Sequence, residues 1–116
     1  MKNRTLLCTA VAACLVSQAA LAAEKGTIMI LVNSLDNPYY ASEAKGANLK
    51  AQALGYKTTV LSHGEDVKKQ SELIDAAIGK KVQGNVLDNA DSTASVAAIK
   101  KAKDAGIPVV LINREI

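Results

Sequence analysis

Tryptophan and phenylalanine are absent from this 116-residue chain, and three tyrosines are its only aromatic residues. Its core must therefore be aliphatic. Rings interleaved with basic residues, the surface on which nucleic-acid bases stack, are excluded. Cysteine is confined to Cys8 and Cys14 and histidine to His63, so the body of the chain lacks the residues for a thiolate metal site or a cysteine nucleophile. His63, with no metal-binding companion, is expected to be a solvated loop residue. The two prolines, Pro38 and Pro108, are well separated, and no low-complexity tract or linker interrupts the sequence.

The first residues fall into three zones. A basic start with Lys2 and Arg4 is followed by an apolar run from Leu6 to Val16 and a small-residue stretch ending Ala20-Leu21-Ala22. This is the layout of a secretory signal peptide with cleavage after Ala22, which divides the chain into residues 1–22 and a mature part, 23–116. The run is shorter than the ~20 residues needed to cross a bilayer, and Ser17 and Gln18 interrupt its end. Val11-Ala12-Ala13-Cys14 resembles a lipobox only loosely, because cleavage there would leave a very short apolar segment behind it. Both cysteines leave with the signal, as suits an oxidising compartment such as the periplasm. The net charge of +3 also shrinks: without Lys2 and Arg4 the mature part has 12 basic against 11 acidic residues. Its lysines are scattered, so no nucleic-acid partner is expected.

From Thr27 onward, short runs rich in Val, Ile and Leu alternate with stretches of helical period. Strands are expected at Ile28–Val32, Lys57–Leu61, Asn85–Asp88 and Pro108–Ile112, and helices at Pro38–Leu54, Val67–Lys80 and Ser92–Ala105. Asn37 before Pro38 supplies a capping side chain and a proline whose missing N–H costs nothing at the first helical position. Gly55 and Gly106 follow helical patterns and precede strands, the place of a left-handed C-cap. In the second helix, Val67, Leu73, Ile74, Ala77 and Ile78 share one stripe. Repeated strand–helix units with apolar strands predict an α/β doubly wound parallel sheet of flavodoxin-like order, covered on both faces.

Two features disagree with that pattern. Asn85 occupies a strand position that calls for an aliphatic side chain, where an unpaired buried amide costs ~1–3 kcal/mol. The chain also ends shortly after the fourth strand, with no helix to cover it and nothing to pair its edge. An incomplete protein is expected.

In open α/β sheets, ligands sit at the carboxyl ends of the strands. After the first strand comes Asn33-Ser34-Leu35-Asp36-Asn37-Pro38-Tyr39-Tyr40, and after the fourth comes Asn113-Arg114-Glu115. A tyrosine ring offers a flat apolar face to the C–H face of a sugar, with a hydroxyl at its rim. Amides donate and accept together, as sugar hydroxyls do. The arginine fork can donate to two neighbouring hydroxyls. These are the parts of a binding site and not of a reaction centre.

With these residues in place, the chain from Lys25 to Glu115 resembles the ribose-binding-type periplasmic proteins of ABC sugar uptake. Their first strand is followed by N/S-x-x-x-N-P-F/Y-F/Y, and the likeness extends to Leu54-Gly55-Tyr56 and to Ile107-Pro108-Val109-Val110 with its following polar–Arg pair. The resemblance implies an incomplete N-terminal lobe of a two-lobe periplasmic binding protein. Its sugar-contacting residues would be Asn33, Asn37, Tyr39, Tyr40, Asn113 and Arg114. It further implies a monosaccharide or polyol ligand, no cofactor, a membrane permease or chemoreceptor as partner, and a monomeric full-length form. Two departures put ribose in doubt: Asn113-Arg114 stands where the family commonly has Asp-Arg, and Tyr39-Tyr40 where ribose binders have Phe-Phe.

Other readings of such a fold fare worse. Asp88 closes the third strand where a signalling receiver carries its phosphoacceptor, but the first strand is followed by one carboxylate, Asp36, and not the acidic pair that holds Mg²⁺. No G-x-G-x-x-G follows that strand, which disfavours a dinucleotide-binding enzyme. Sugar-responsive repressors begin with a helix-turn-helix where this chain has an apolar leader.

Overall fold

The computed structural model describes residues 25–116. The proposed leader, 1–22, with its cleavage point, lies outside the described residues. From Thr27 the elements alternate: β1 (Thr27–Val32), α1 (Pro38–Ala53), β2 (Lys57–Ser62), α2 (Val67–Gly79), β3 (Gly84–Leu87), α3 (Val96–Asp104) and β4 (Val109–Leu111). All strand pairings are parallel, in the order β2-β1-β3-β4. The expected flavodoxin-like order is the one observed.

The caps explain where the helices begin and end. Asn37 accepts a hydrogen bond from the Tyr39 N–H at 3.0 Å, satisfying a donor that the first turn leaves free, and Pro38 follows it. Asp66 does the same for Lys69 N–H at the start of α2. Gly55 and Gly106 turn the chain out of α1 and α3 at φ +91° and +82°, which a side chain would oppose.

The third helix starts later than its period suggests, at Val96 and not at Ser92. Asp91 Oδ1 accepts from the Thr93 and Ala94 N–H groups at 2.8 and 2.6 Å and folds residues 92–95 into a turn. The Ser95 hydroxyl is engaged by the buried Gln70 side chain of α2 at 2.8 Å, so it is not available as a helix cap. Gln70 Oε1 also takes the Ala90 N–H at 2.7 Å, which ties the β3–α3 connection to α2.

Coverage of the sheet is uneven. On one face Met29, Leu31 and Leu87 pack against Ile74 and Ala77 of α2 and Ala98, Ile99 and Ala102 of α3. On the other, Ile30 and Val32 meet Ala44 of α1, with Tyr40, Ala47, Val60 and Val86 at the margin. Small alanines let α1 lie close over β1 and β2. The sequence predicts helices over both faces, but beyond α1 the β3–β4 half is open. Val110, in register with Val86, is 58% exposed, and a groove of about 370 Å³ runs between Ala51, Leu54, Val86, Pro108 and Val110. Asn85 is in register with Met29 and Val109, so it belongs to the α2–α3 face; it is 2% exposed and neither of its amide atoms has a partner. The misfit read in the sequence is thus a buried, unsatisfied amide.

Candidate functional site

Each strand delivers polar residues to its carboxyl end. β1 leads to Asn33, β2 to His63 and Glu65, β3 to Asp88 and Asn89, and β4 to Asn113 and Arg114. The start of α1 brings Tyr39 and Tyr40 over them. Five of the six residues singled out in the sequence meet here. Tyr39 Oη donates to Asn113 Oδ1 at 2.9 Å, and Arg114 Nη2 reaches Tyr40 Oη at 3.4 Å, although 74 positions separate each pair. Asn33 joins them through Glu65. Asn37 does not: its side chain is exposed and caps α1.

Arg114 is the hub. Its Nη2 also donates to Glu65 Oε1 at 3.3 Å, its Nη1 lies 3.4 Å from the carbonyls of Asn89 and Ala90, and its Nε is 3.9 Å from Asp88 Oδ1. Its carbonyl accepts from Asn89 Nδ2 at 2.9 Å. The acids that hold Arg114, Glu65 and Asp88, follow β2 and β3. The bond to Glu65 raises the guanidinium pKa still further, so Arg114 stays charged. A third of its side chain faces solvent, as a ligand requires.

Glu65 escaped the sequence reading because nothing in its neighbourhood marks it. It accepts from Asn33 Nδ2 at 2.7 Å as well as from Arg114, and these two bonds, Asn33 first, hold its carboxyl below the usual glutamate value. Both Glu65 and Asn113 adopt left-handed backbone, at φ +61° and +65°. That conformation costs about 1 kcal/mol or more for a side-chain-bearing residue and tends to be retained at functional sites.

His63 corrects the sequence reading outright. It is fully buried and not solvated; its Nε2 lies 2.6 Å from the Asp88 carbonyl, and Nδ1 accepts the Glu65 N–H at 3.2 Å. An accepting Nδ1 fixes the tautomer with the proton on Nε2, which donates to the carbonyl. The ring therefore bolts the β2–α2 loop to the end of β3 and sets the backbone of Glu65.

The two tyrosines divide their roles. Tyr40 packs against the α1 core, whereas Tyr39 is 55% exposed and meets Tyr40 edge to face at 5.2 Å. Asp88 is wholly buried, and its Oδ2 accepts from Asn113 Nδ2 at 3.1 Å. That placement offers no open carboxylate for phosphorylation, and it supplies, just behind Asn113, the negative charge that β4 lacks. The result is a shallow array of oriented donors and acceptors beside an exposed ring, suited to holding a polyhydroxylated molecule.

Similarity to known proteins points the same way. The family model of the periplasmic binding protein domain matches residues 28–116. The D-apiose import binding protein of Paraburkholderia graminis is 53% identical over 89 residues, 77% of this chain and 28% of that protein. Its namesake in Actinobacillus succinogenes is 44% identical over 113 residues, 97% of this chain and 36% of that protein. Among solved structures, an ABC transporter periplasmic solute binding protein from Actinobacillus succinogenes with bound D-allose superposes with a TM-score of 0.73 at 28% identity, over 79% of this chain and 33% of that one. The chain thus spans about a third of the length of these relatives. By sequence and by fold, it belongs to the periplasmic binding protein domain family, whose members bind solutes and are not enzymes.

Proposed function

We propose that this chain is an N-terminal lobe of the sugar-binding component of an ABC importer, exported to the periplasm by residues 1–22, and that its ligand is a monosaccharide, D-apiose ahead of D-ribose. The convergence of Tyr39, Asn113, Arg114 and Asn33 at the carboxyl ends of the strands carries this reading. Arg114 and the two amides supply donors at fixed positions, and Tyr39 supplies a ring face for C–H groups. The similarity to two D-apiose import binding proteins supports the choice of sugar. A neutral Asn113 backed by Asp88 also favours a pattern of hydroxyls other than that of ribose.

A second lobe, closing over this one by hinge motion, would complete the site and present a closed form to the membrane permease. The test is a thermal-shift series on residues 23–116 and on a complete two-lobe protein, with D-apiose, D-ribose, D-allose and a sugar alcohol. D-apiose should raise the transition most, and Arg114→Ala should reduce the rise. A complete protein that folds cooperatively and responds to none of these sugars would refute the assignment.

A further inference from the structure

The end of β4 is shaped by a side chain that is closed to solvent. Among the described residues, the last backbone bond between the third and fourth strands runs from the Ile112 N–H to the Leu87 carbonyl at 3.0 Å. Beyond it the chain turns sharply: the Arg114 N–H donates to the Ile112 carbonyl at 2.7 Å across Asn113, whose φ is +65°. A three-residue turn closed in this way around a positive φ is the rare, strained form of the γ-turn. Asn89, fully buried two residues past β3, meets the far side of that turn. Its Nδ2 donates to the Arg114 carbonyl at 2.9 Å and so carries the seam between the strands past the point where their backbones part. The Arg114 guanidinium returns to the same loop, with Nη1 3.4 Å from the Asn89 and Ala90 carbonyls. Gln70 fixes the loop from behind through the Ala90 N–H at 2.7 Å.

Stability alone does not call for an amide at position 89. Its Oδ1 is buried and makes no hydrogen bond among the described residues, a cost that a leucine of similar size would not carry. Nor can the amide be reversed, because its oxygen would then face the Arg114 carbonyl, acceptor against acceptor. What the position uses is one donor aimed at one carbonyl. We propose that Asn89 is a positioning residue for Arg114: it holds the strained turn at Asn113 closed before a ligand arrives, so that the guanidinium stands ready for the sugar. The effect on affinity rests on the sugar-binding reading above; the effect on Arg114 itself does not. Without that donor the turn relaxes toward ordinary backbone, Arg114 leaves Tyr40 and Glu65, and the sugar must restore the arrangement as it binds.

Arg4 and Arg114 are the only arginines of the full chain, so NMR relaxation of the Arg114 Nε–H can be followed there, with the signal assigned by its loss in Arg114→Lys. In the unliganded wild type this group should be as ordered as the backbone around it, and Asn89→Leu, which keeps the size and removes the donor, should make it mobile. Calorimetric titration of D-apiose then completes a double-mutant cycle. Asn89→Leu should weaken binding roughly fivefold, the worth of about one hydrogen bond, and should have no further effect in an Arg114→Ala background. Any change in denaturant midpoint should be the same in both backgrounds, because Arg114→Ala keeps the carbonyl that Asn89 binds. An Arg114 Nε–H that stays ordered in Asn89→Leu overturns the positioning role, and so does an affinity loss equally large in both backgrounds. Should Asn89→Leu fail to fold, the wild-type signal decides: an Arg114 Nε–H relaxing like a free surface side chain contradicts the proposal, and an ordered one supports it. If wild type binds no D-apiose, the sugar reading fails together with the affinity arm, while the Arg114 relaxation still decides whether Asn89 positions it.

Discussion

Arg114 is held by Glu65, by Tyr40 and by two backbone carbonyls, so its fork is fixed in orientation before any ligand arrives. A hydrogen bond from a charged group is worth about 1.5–3 kcal/mol. Arg114→Ala should therefore weaken sugar binding by roughly tenfold or more at unchanged fold, read by calorimetry and circular dichroism. Glu65 gives a prediction in pH. Its folded pKa is lowered, so the stability it adds is present above the ordinary glutamate value and is lost as pH falls through the lowered one. Wild type should accordingly lose more stability than Glu65→Gln across that acidic window, measured as denaturant midpoints. His63→Ala removes a buried ring and leaves the Asp88 carbonyl unpaired. It should cost about 2 kcal/mol or more in the same measurement, since an unsatisfied buried acceptor alone costs about 1–3 kcal/mol.

The strands and the first two helices were legible in the sequence because their signals are local: an apolar run for β1, Asn37-Pro38 at the start of α1, and Asp66 with its apolar stripe for α2. The start of α3 was not, because Gln70, 25 positions away on α2, engages Ser95, while Asp91 turns residues 92–95 by binding the Thr93 and Ala94 N–H groups. The same distinction runs through the site. Asn33, Tyr39, Asn113 and Arg114 follow their strands directly, and the resemblance marks them. Glu65, Asp88 and the burial of His63 depend on contacts between separate strand ends, which no local pattern encodes. Within β3, Asn85 was legible as a misfit, and its unpartnered amide explains why. Asn85→Val, which suits a strand and leaves no polar group behind, should stabilise the fold by about 1–3 kcal/mol without altering sugar affinity. A thermal melt with and without D-apiose checks both parts.

At the scale of the molecule, the groups proposed to bind a ligand lie at the carboxyl ends of the strands of an unevenly covered sheet. β4 has an open side, Val110 is exposed beside β3, and the groove next to α1 is apolar. An open edge with such a face favours self-association. Val110→Lys should reduce the concentration-dependent association of residues 23–116, as seen by sedimentation velocity. None of the groove residues belongs to the ligand array at the carboxyl ends, so that change should leave the array intact. The most direct test of a sugar half-site at those ends is a crystal structure of the complete two-lobe protein with D-apiose. The sugar should lie within hydrogen-bonding distance of Arg114 and Asn113, with the Tyr39 ring against its C–H face. A sugar bound away from the carboxyl ends of β1, β3 and β4, or touching none of these side chains, would contradict it.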